Sequence, residues 1–67
     1  MSGKKLQKAI DQLGGQAHLA RAIGTSQQNV WNWLHRQKGV VPAEMAGPIE
    51  TATDGKITRS DLRPDLY

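Results

Sequence analysis

The chain of 67 residues contains no cysteine. That absence removes a disulfide framework, a thiolate metal site and a cysteine nucleophile, and it suits a reducing compartment. Long apolar runs are missing too. None approaches the ~20 residues that cross a bilayer, and the opening "MSGKKLQKAI" has lysines with no apolar signal core behind them. The expectation is a soluble, cytosolic chain with no membrane partner, forming one domain over residues 1–67 near the lower size limit for a self-sufficient core. There is no repeat and no low-complexity tract. Histidine is scarce: His18 and His35 lie 17 residues apart without a carboxylate cluster, which argues against zinc. Ser26 and His35 lack the nucleophile elbow and glycine-rich oxyanion loop of a hydrolase. We therefore expect no enzyme, no metal, no cofactor and no small-molecule ligand.

Acidic side chains are nearly absent from the first half. Residues 1–38 hold Lys4, Lys5, Lys8, Arg21, Arg36 and Lys38 against Asp11 alone, a net of +5. Residues 39–67 hold Lys56, Arg59 and Arg63 against Glu44, Glu50, Asp54, Asp61 and Asp65, a net of −2. A basic half joined to a mildly acidic one points to a polyanion on one surface and something else on another. On charge alone, ordinary solvated surface explains the asymmetry equally well.

What is present reads as helices. Leu6, Ala9, Ile10 and Leu13 fall at i, i+3, i+4 and i+7, and Gly14-Gly15 stops that stripe. A second helix spans about 16–23, with Leu19, Ala20 and Ile23 on one face and Gly24 at its end. Ser26 is the expected N-cap of a third helix; Thr25 is the alternative, with Gln28 completing a capping box. This helix continues to about Gln37, and Lys38-Gly39 closes it. "VVP" is an extended linker. A fourth helix starts near Pro42 and runs towards Thr53, with a kink or break expected at Pro48. "TATDGKIT" allows either a helix end or a two-residue hairpin at Asp54-Gly55; the helical face of Ile49, Ala52 and Thr53 favours the helix end. Thr58 and Asp61 have capping-box spacing for one short turn, stopped by Pro64.

Two short helices joined at a glycine form the helix-turn-helix pattern. Ala20 is small where the helices cross, Gly24 supplies a positive φ, and Val30 and Trp33 return to the first helix. A helical hairpin that binds nothing is the plainer reading, and the combined spacing of these residues weighs against it. At about 100° per residue, Val30, Trp33, Leu34 and Gln37 share the inner side of the third helix. The outer side centres on Gln28, Asn32 and His35, flanked by Gln27, Trp31 and Arg36. Side-chain amides form paired hydrogen bonds with adenine N6 and N7 in the major groove, and the first residues of such a helix are those that reach base edges. Gln27, Gln28 and Asn32 are the expected base readers. Gln16, Arg21, Ser26, Asn29, His35, Arg36 and Lys38 are expected at phosphates or the groove edge, with Lys4, Lys5 and Lys8 towards the flanking backbone. Trp33 belongs to the core. Trp31 lies at the edge, either touching a thymine methyl or sugar or, as we favour, packing on a neighbouring element.

The stretches "GGQAHLARAIGTSQQNVWNWL" and "VPAEMAGPIETATDGKITRSDLRPDLY" resemble the Cro-like and YdaS-type helix-turn-helix regulators of phages and prophages. The resemblance covers nearly the whole chain; "Ser-Gln-Gln" is similar to the reading-helix start of phage repressors, and the tail is the signature of the YdaS group. It implies an all-α, four- to five-helix fold of the lambda-repressor type, with a C-terminal segment that is helical or a β-hairpin. It also implies a transcriptional regulator, often a homodimer on a palindromic double-stranded DNA operator, located at the nucleoid when bound. Gln27, Gln28 and Asn32 match its groove readers, and Gln16 and Ser26 its phosphate contacts. Trp31 and Pro48 depart from the pattern. Ile57, Leu62, Leu66 and Tyr67 are the candidate dimer contact. A protein-binding module of antitoxin or anti-repressor type, using Trp31 and the tail, is the alternative.

Overall fold

The computed structural model describes residues 2–67, which form five helices: α1 Ser2–Leu13, α2 Gln16–Ile23, α3 Gln27–His35, α4 Ala43–Ala52 and α5 Arg59–Leu62. Among the described residues there is no strand, and no helix is long and apolar enough to cross a membrane. Leu6, Ala9 and Ile10 of α1 are buried, with Leu13 packed at the rim, as their spacing requires. Leu19, Ala20 and Ile23 form the inner face of α2. This helix is central, because it packs against α1, α3 and α4, most extensively on α3.

The turn between α2 and α3 is set by backbone conformation rather than by space. Gly24 has φ 78° and its N–H donates to the Ala20 carbonyl; Thr25 N–H donates to the same oxygen at 2.9 Å. Nothing lies within 4 Å of where a Gly24 Cβ would project. An added methyl therefore meets no neighbour, only the left-handed penalty of an L-residue. Gly24→Ala is expected to lower stability by about 1–2 kcal/mol, and Gly24→Asn by less, because Asn tolerates this region. Urea titration followed by circular dichroism would check the order.

Beyond α3, Val41 of the linker is wholly buried. Arg63 holds the C-terminal turn over it, donating to the Val41 carbonyl at 3.0 Å and to both carboxylate oxygens of Asp65 at 3.0 and 2.8 Å. Helix α4 runs through Pro48 without a break. The bond that proline deletes would have gone to the Glu44 carbonyl, and both residues are exposed, so water can serve that oxygen. Gly47, having no Cβ, also relieves the clash that a proline ring imposes on its predecessor.

The Asp54-Gly55 pair closes α4 rather than turning a hairpin. Both residues have positive φ, 57° and 79°, the backbone a two-residue hairpin loop demands. Gly55 N–H nevertheless returns to the Glu50 carbonyl at 2.9 Å, the hydrogen bond of a helix C-terminus. Thr53, fully buried, seals this corner. Its hydroxyl lies 3.0 Å from the Ile49 carbonyl and accepts from Ile57 N–H at 3.1 Å. Gln12 of α1 donates to the Thr53 carbonyl at 3.0 Å, tying the first helix to the end of the fourth.

Helix α5 opens with the Thr58–Asp61 capping box. The Thr58 backbone N–H holds the Asp61 carboxyl below the usual carboxylate range; Lys5, 3.8 Å away, adds to this against the opposing effect of burial. Ile57 and Leu62 are 4% and 0% exposed. They belong to the protomer's own core and present no surface to a second subunit, which corrects their expected place in a dimer contact. Leu66 and Tyr67 remain exposed, the Tyr67 ring lying 6.0 Å from the Arg59 guanidinium.

Candidate nucleic-acid interface

Ser26 caps α3, its hydroxyl accepting from Asn29 N–H at 3.2 Å. Thr25 takes a different role: its hydroxyl accepts from the Asn29 side-chain amide at 2.9 Å. Gln28 is thereby left out of any capping box. Val30 and Trp33 anchor the helix inward at 0% and 6% exposure, and Leu34 packs against the same core.

This anchoring turns the amides outward. Gln27, Gln28 and Asn29 are exposed and Asn32 is half-buried. Gln28 Nε2 donates to Asn32 Oδ1 at 3.2 Å, one helical turn along. The bond sets the Gln28 amide against that of Asn32. The Gln28 Oε1 and the second Nε2 proton stay open, one acceptor and one donor in the spacing that an adenine edge complements.

Trp31 was expected to pack on a neighbouring element. It is 41% exposed, and its ring lies 4.7 Å from that of His35 on its own helix, tilted by 42°. With Gln27 and Gln28 it lines a shallow depression of about 360 Å³. Gln37 was placed on the inner side but is exposed. Helix α3 ends at His35, and the Arg36 and Gln37 amides both turn back to the Asn32 carbonyl at 2.8 and 2.9 Å, so the helical phase no longer applies at Gln37.

The expected phosphate residues are half-buried or exposed at the surface. Gln16 is half-buried at the first position of α2, where the N-cap Gly15 offers no side-chain bond to the first-turn amides. Arg21, Ser26, His35, Arg36 and Lys38 are exposed. Among the described residues the ion pairs are Lys5–Asp61, Arg59–Glu50 and Arg63–Asp65. Arg21, Arg36 and Lys38 belong to none of them. The acidic tail thus partly neutralises its own cations and Lys5, and leaves Arg21, Arg36 and Lys38 outside these pairs.

Lys38 carries a feature that composition did not reveal. It has φ 54°, a left-handed conformation that glycine adopts far more readily. Strain of this kind gathers at functional positions. Lys38→Gly is expected to raise stability by roughly 0.5–1 kcal/mol, the left-handed penalty less the greater unfolded-state freedom of glycine. Thermal unfolding would show it.

Comparison with known proteins agrees with this geometry. A family described as "Bacterial toxin YdaS" matches residues 6–67. The "Putative transcriptional regulator YdaS" of Escherichia coli (strain K12) is 43% identical over 56 residues, covering 81% of this chain and 54% of that protein. The chain therefore spans about half the length of this curated relative. The "Cro protein from putative prophage element Xfaso 1 in Xylella fastidiosa strain Ann-1" superposes with a TM-score of 0.86 at 38% identity, covering 94% of each chain. The five-helix arrangement is accordingly the Cro-like helix-turn-helix fold, all-helical to its C-terminal turn. With the family match running from Leu6 to the last residue, the chain belongs to the YdaS family.

Proposed function

We propose that this chain is a Cro-like transcriptional regulator that binds double-stranded DNA and reads an operator in the major groove through α3. The observation carrying this reading is the outward amide face of Gln27, Gln28 and Asn32, held there by the buried Val30 and Trp33. Side-chain amides on one exposed helical face complement the adenine edge in the major groove. The printed name of the E. coli relative and the fold shared with a Cro protein support the same reading.

Affinity comes from phosphates. Arg21, Arg36 and Lys38, outside the ion pairs, supply positive charge, with Lys4 and Lys8 further along the backbone. Gln16 offers its amide together with the open N-terminus of α2, and Ser26, Asn29 and His35 edge the groove. Lys38→Gly is expected to weaken binding to all duplexes alike while reducing the slope of log affinity against log salt by about 0.9.

One short helix reads few base pairs, so tight binding uses two copies on an inverted repeat. Each protomer measures 26 Å across its longer axes, which suits two reading helices set about 34 Å apart along B-DNA. Leu66 and Tyr67 are the apolar residues available at the tail for that contact. The family's description as a toxin names an effect on a cell rather than a chemistry, and misdirected transcriptional control is one route to such an effect.

Selection of bound fragments from a random duplex pool tests the proposal. Recovery of one inverted repeat, bound more weakly as salt rises, is expected. Recovery of no preferred sequence, together with specific capture of a protein partner through Trp31 or the tail, would favour the antitoxin-like module instead.

A further inference from the structure

The depression beside Gln27 and Gln28 has an aromatic wall that amide readout does not use. Trp31 stands one turn after both glutamines on α3 and keeps 41% of its surface exposed. It contributes nothing to the core that Val30 and Trp33 anchor. His35, a further turn along, holds the indole in place at 4.7 Å between ring centroids. A large apolar ring braced in this way on an otherwise polar face is prepared to lose its water to a partner.

The chemistry of that partner follows from the neighbours. The glutamine amides beside the indole complement adenine, and each adenine brings a thymine across the pair. Thymine is the one base presenting a methyl group in the major groove. We propose that Trp31, positioned by His35, is a specificity-determining residue that packs against the C5-methyl of a thymine in or next to the adenine·thymine pair engaged by Gln28. This inference rests on the regulator reading above and adds a second, apolar code to its amide code.

The test replaces thymines one at a time by deoxyuridine in the duplex selected by the wild-type protein. Deoxyuridine keeps every hydrogen-bonding group and loses only the methyl. Burial of one such carbon is worth about fourfold in affinity. The wild-type protein is expected to lose three- to fivefold, roughly, at one thymine in each half-site. Trp31→Ala and Trp31→Gln should bind the all-thymine duplex more weakly and become indifferent to that replacement, with unchanged unfolding midpoints because the ring lies outside the core. His35→Ala should retain part of the sensitivity. Undiminished sensitivity in Trp31→Ala, or a flat thymine scan on a duplex whose adenine preference still depends on Gln28, would overturn this inference alone. Recovery of no preferred duplex would overturn the regulator reading and this inference with it.

Discussion

Leu19→Ala is expected to destabilise the protein by about 2–5 kcal/mol, the range for truncating a fully buried leucine. Leu19 is 0% exposed and sits on α2, the helix that touches α1, α3 and α4. Little slack exists to collapse around the cavity, because three helices share that boundary. A chain of 67 residues has a total stability of roughly 3–10 kcal/mol at 0.05–0.15 kcal/mol per residue. The loss is therefore comparable with everything holding the fold together. Far-UV circular dichroism should find the variant largely unfolded at 37 °C or with a greatly reduced urea midpoint. Leu66→Ala, at an exposed position of the tail, should change stability by less than about 0.5 kcal/mol. If the two variants behaved alike, the placement of α2 at the centre of the core would be wrong.

Thr53→Val is the second large effect, and it isolates a hydrogen bond from packing. Valine keeps the shape of threonine and replaces the hydroxyl by a methyl. The Thr53 hydroxyl can give its one proton to a single carbonyl, and the Ile49 oxygen at 3.0 Å is the nearest. What valine cannot replace is the acceptor for Ile57 N–H at 3.1 Å. Ile57 is 4% exposed, so that amide is left buried without a partner, which costs about 1–3 kcal/mol. Thr53→Ser keeps the acceptor, gives up one methyl, and should cost about 1 kcal/mol. Hydrogen exchange would give the sharper readout, with the Ile57 amide losing protection in the valine variant and keeping it in the serine variant. Equal protection in both would mean that the hydroxyl does not hold this corner.

The parts of the fold governed by local rules were legible from residue order. The α2–α3 unit follows from Leu19, Ala20, Gly24, Ser26, Val30 and Trp33, each acting through a neighbour one or two turns away. The parts decided by tertiary context were not. Asp54-Gly55 adopts the positive φ values of a hairpin turn, yet the helix before it takes up the returning amide, and no strand pair forms. A kink or a break is expected at Pro48; no break occurs, because the deleted bond falls on the solvent side and Gly47 precedes it. Ile57 and Leu62 looked available to a second subunit because a helix as short as Arg59–Leu62 shows no periodicity from which an inner face can be read. Thr53 shares the helical face of Ile49, but its hydrogen bond to Ile57 N–H could not be read in advance, because it depends on how the chain turns after α4.

The site divides the same way. Which amides point outward follows from the apolar phase of α3 and needed no coordinates. The Gln28–Asn32 bond, the Trp31–His35 pair and the left-handed Lys38 depend on rotamers and on the way the helix unwinds after His35. Those details decide how the face would work: one amide set against another, one ring braced by another, one cation held in a strained turn.

The most direct test of the amide-face reading is the base preference of Gln28→Ala. Binding of wild type and variant would be compared over every single-base change in the selected duplex. The variant is expected to lose discrimination of about 1–3 kcal/mol, roughly five- to 150-fold, at one adenine·thymine pair in each half-site, with preferences at other positions kept. A variant that binds every duplex more weakly by the same factor, with its preference at each position intact, would contradict the assignment of this face to base reading.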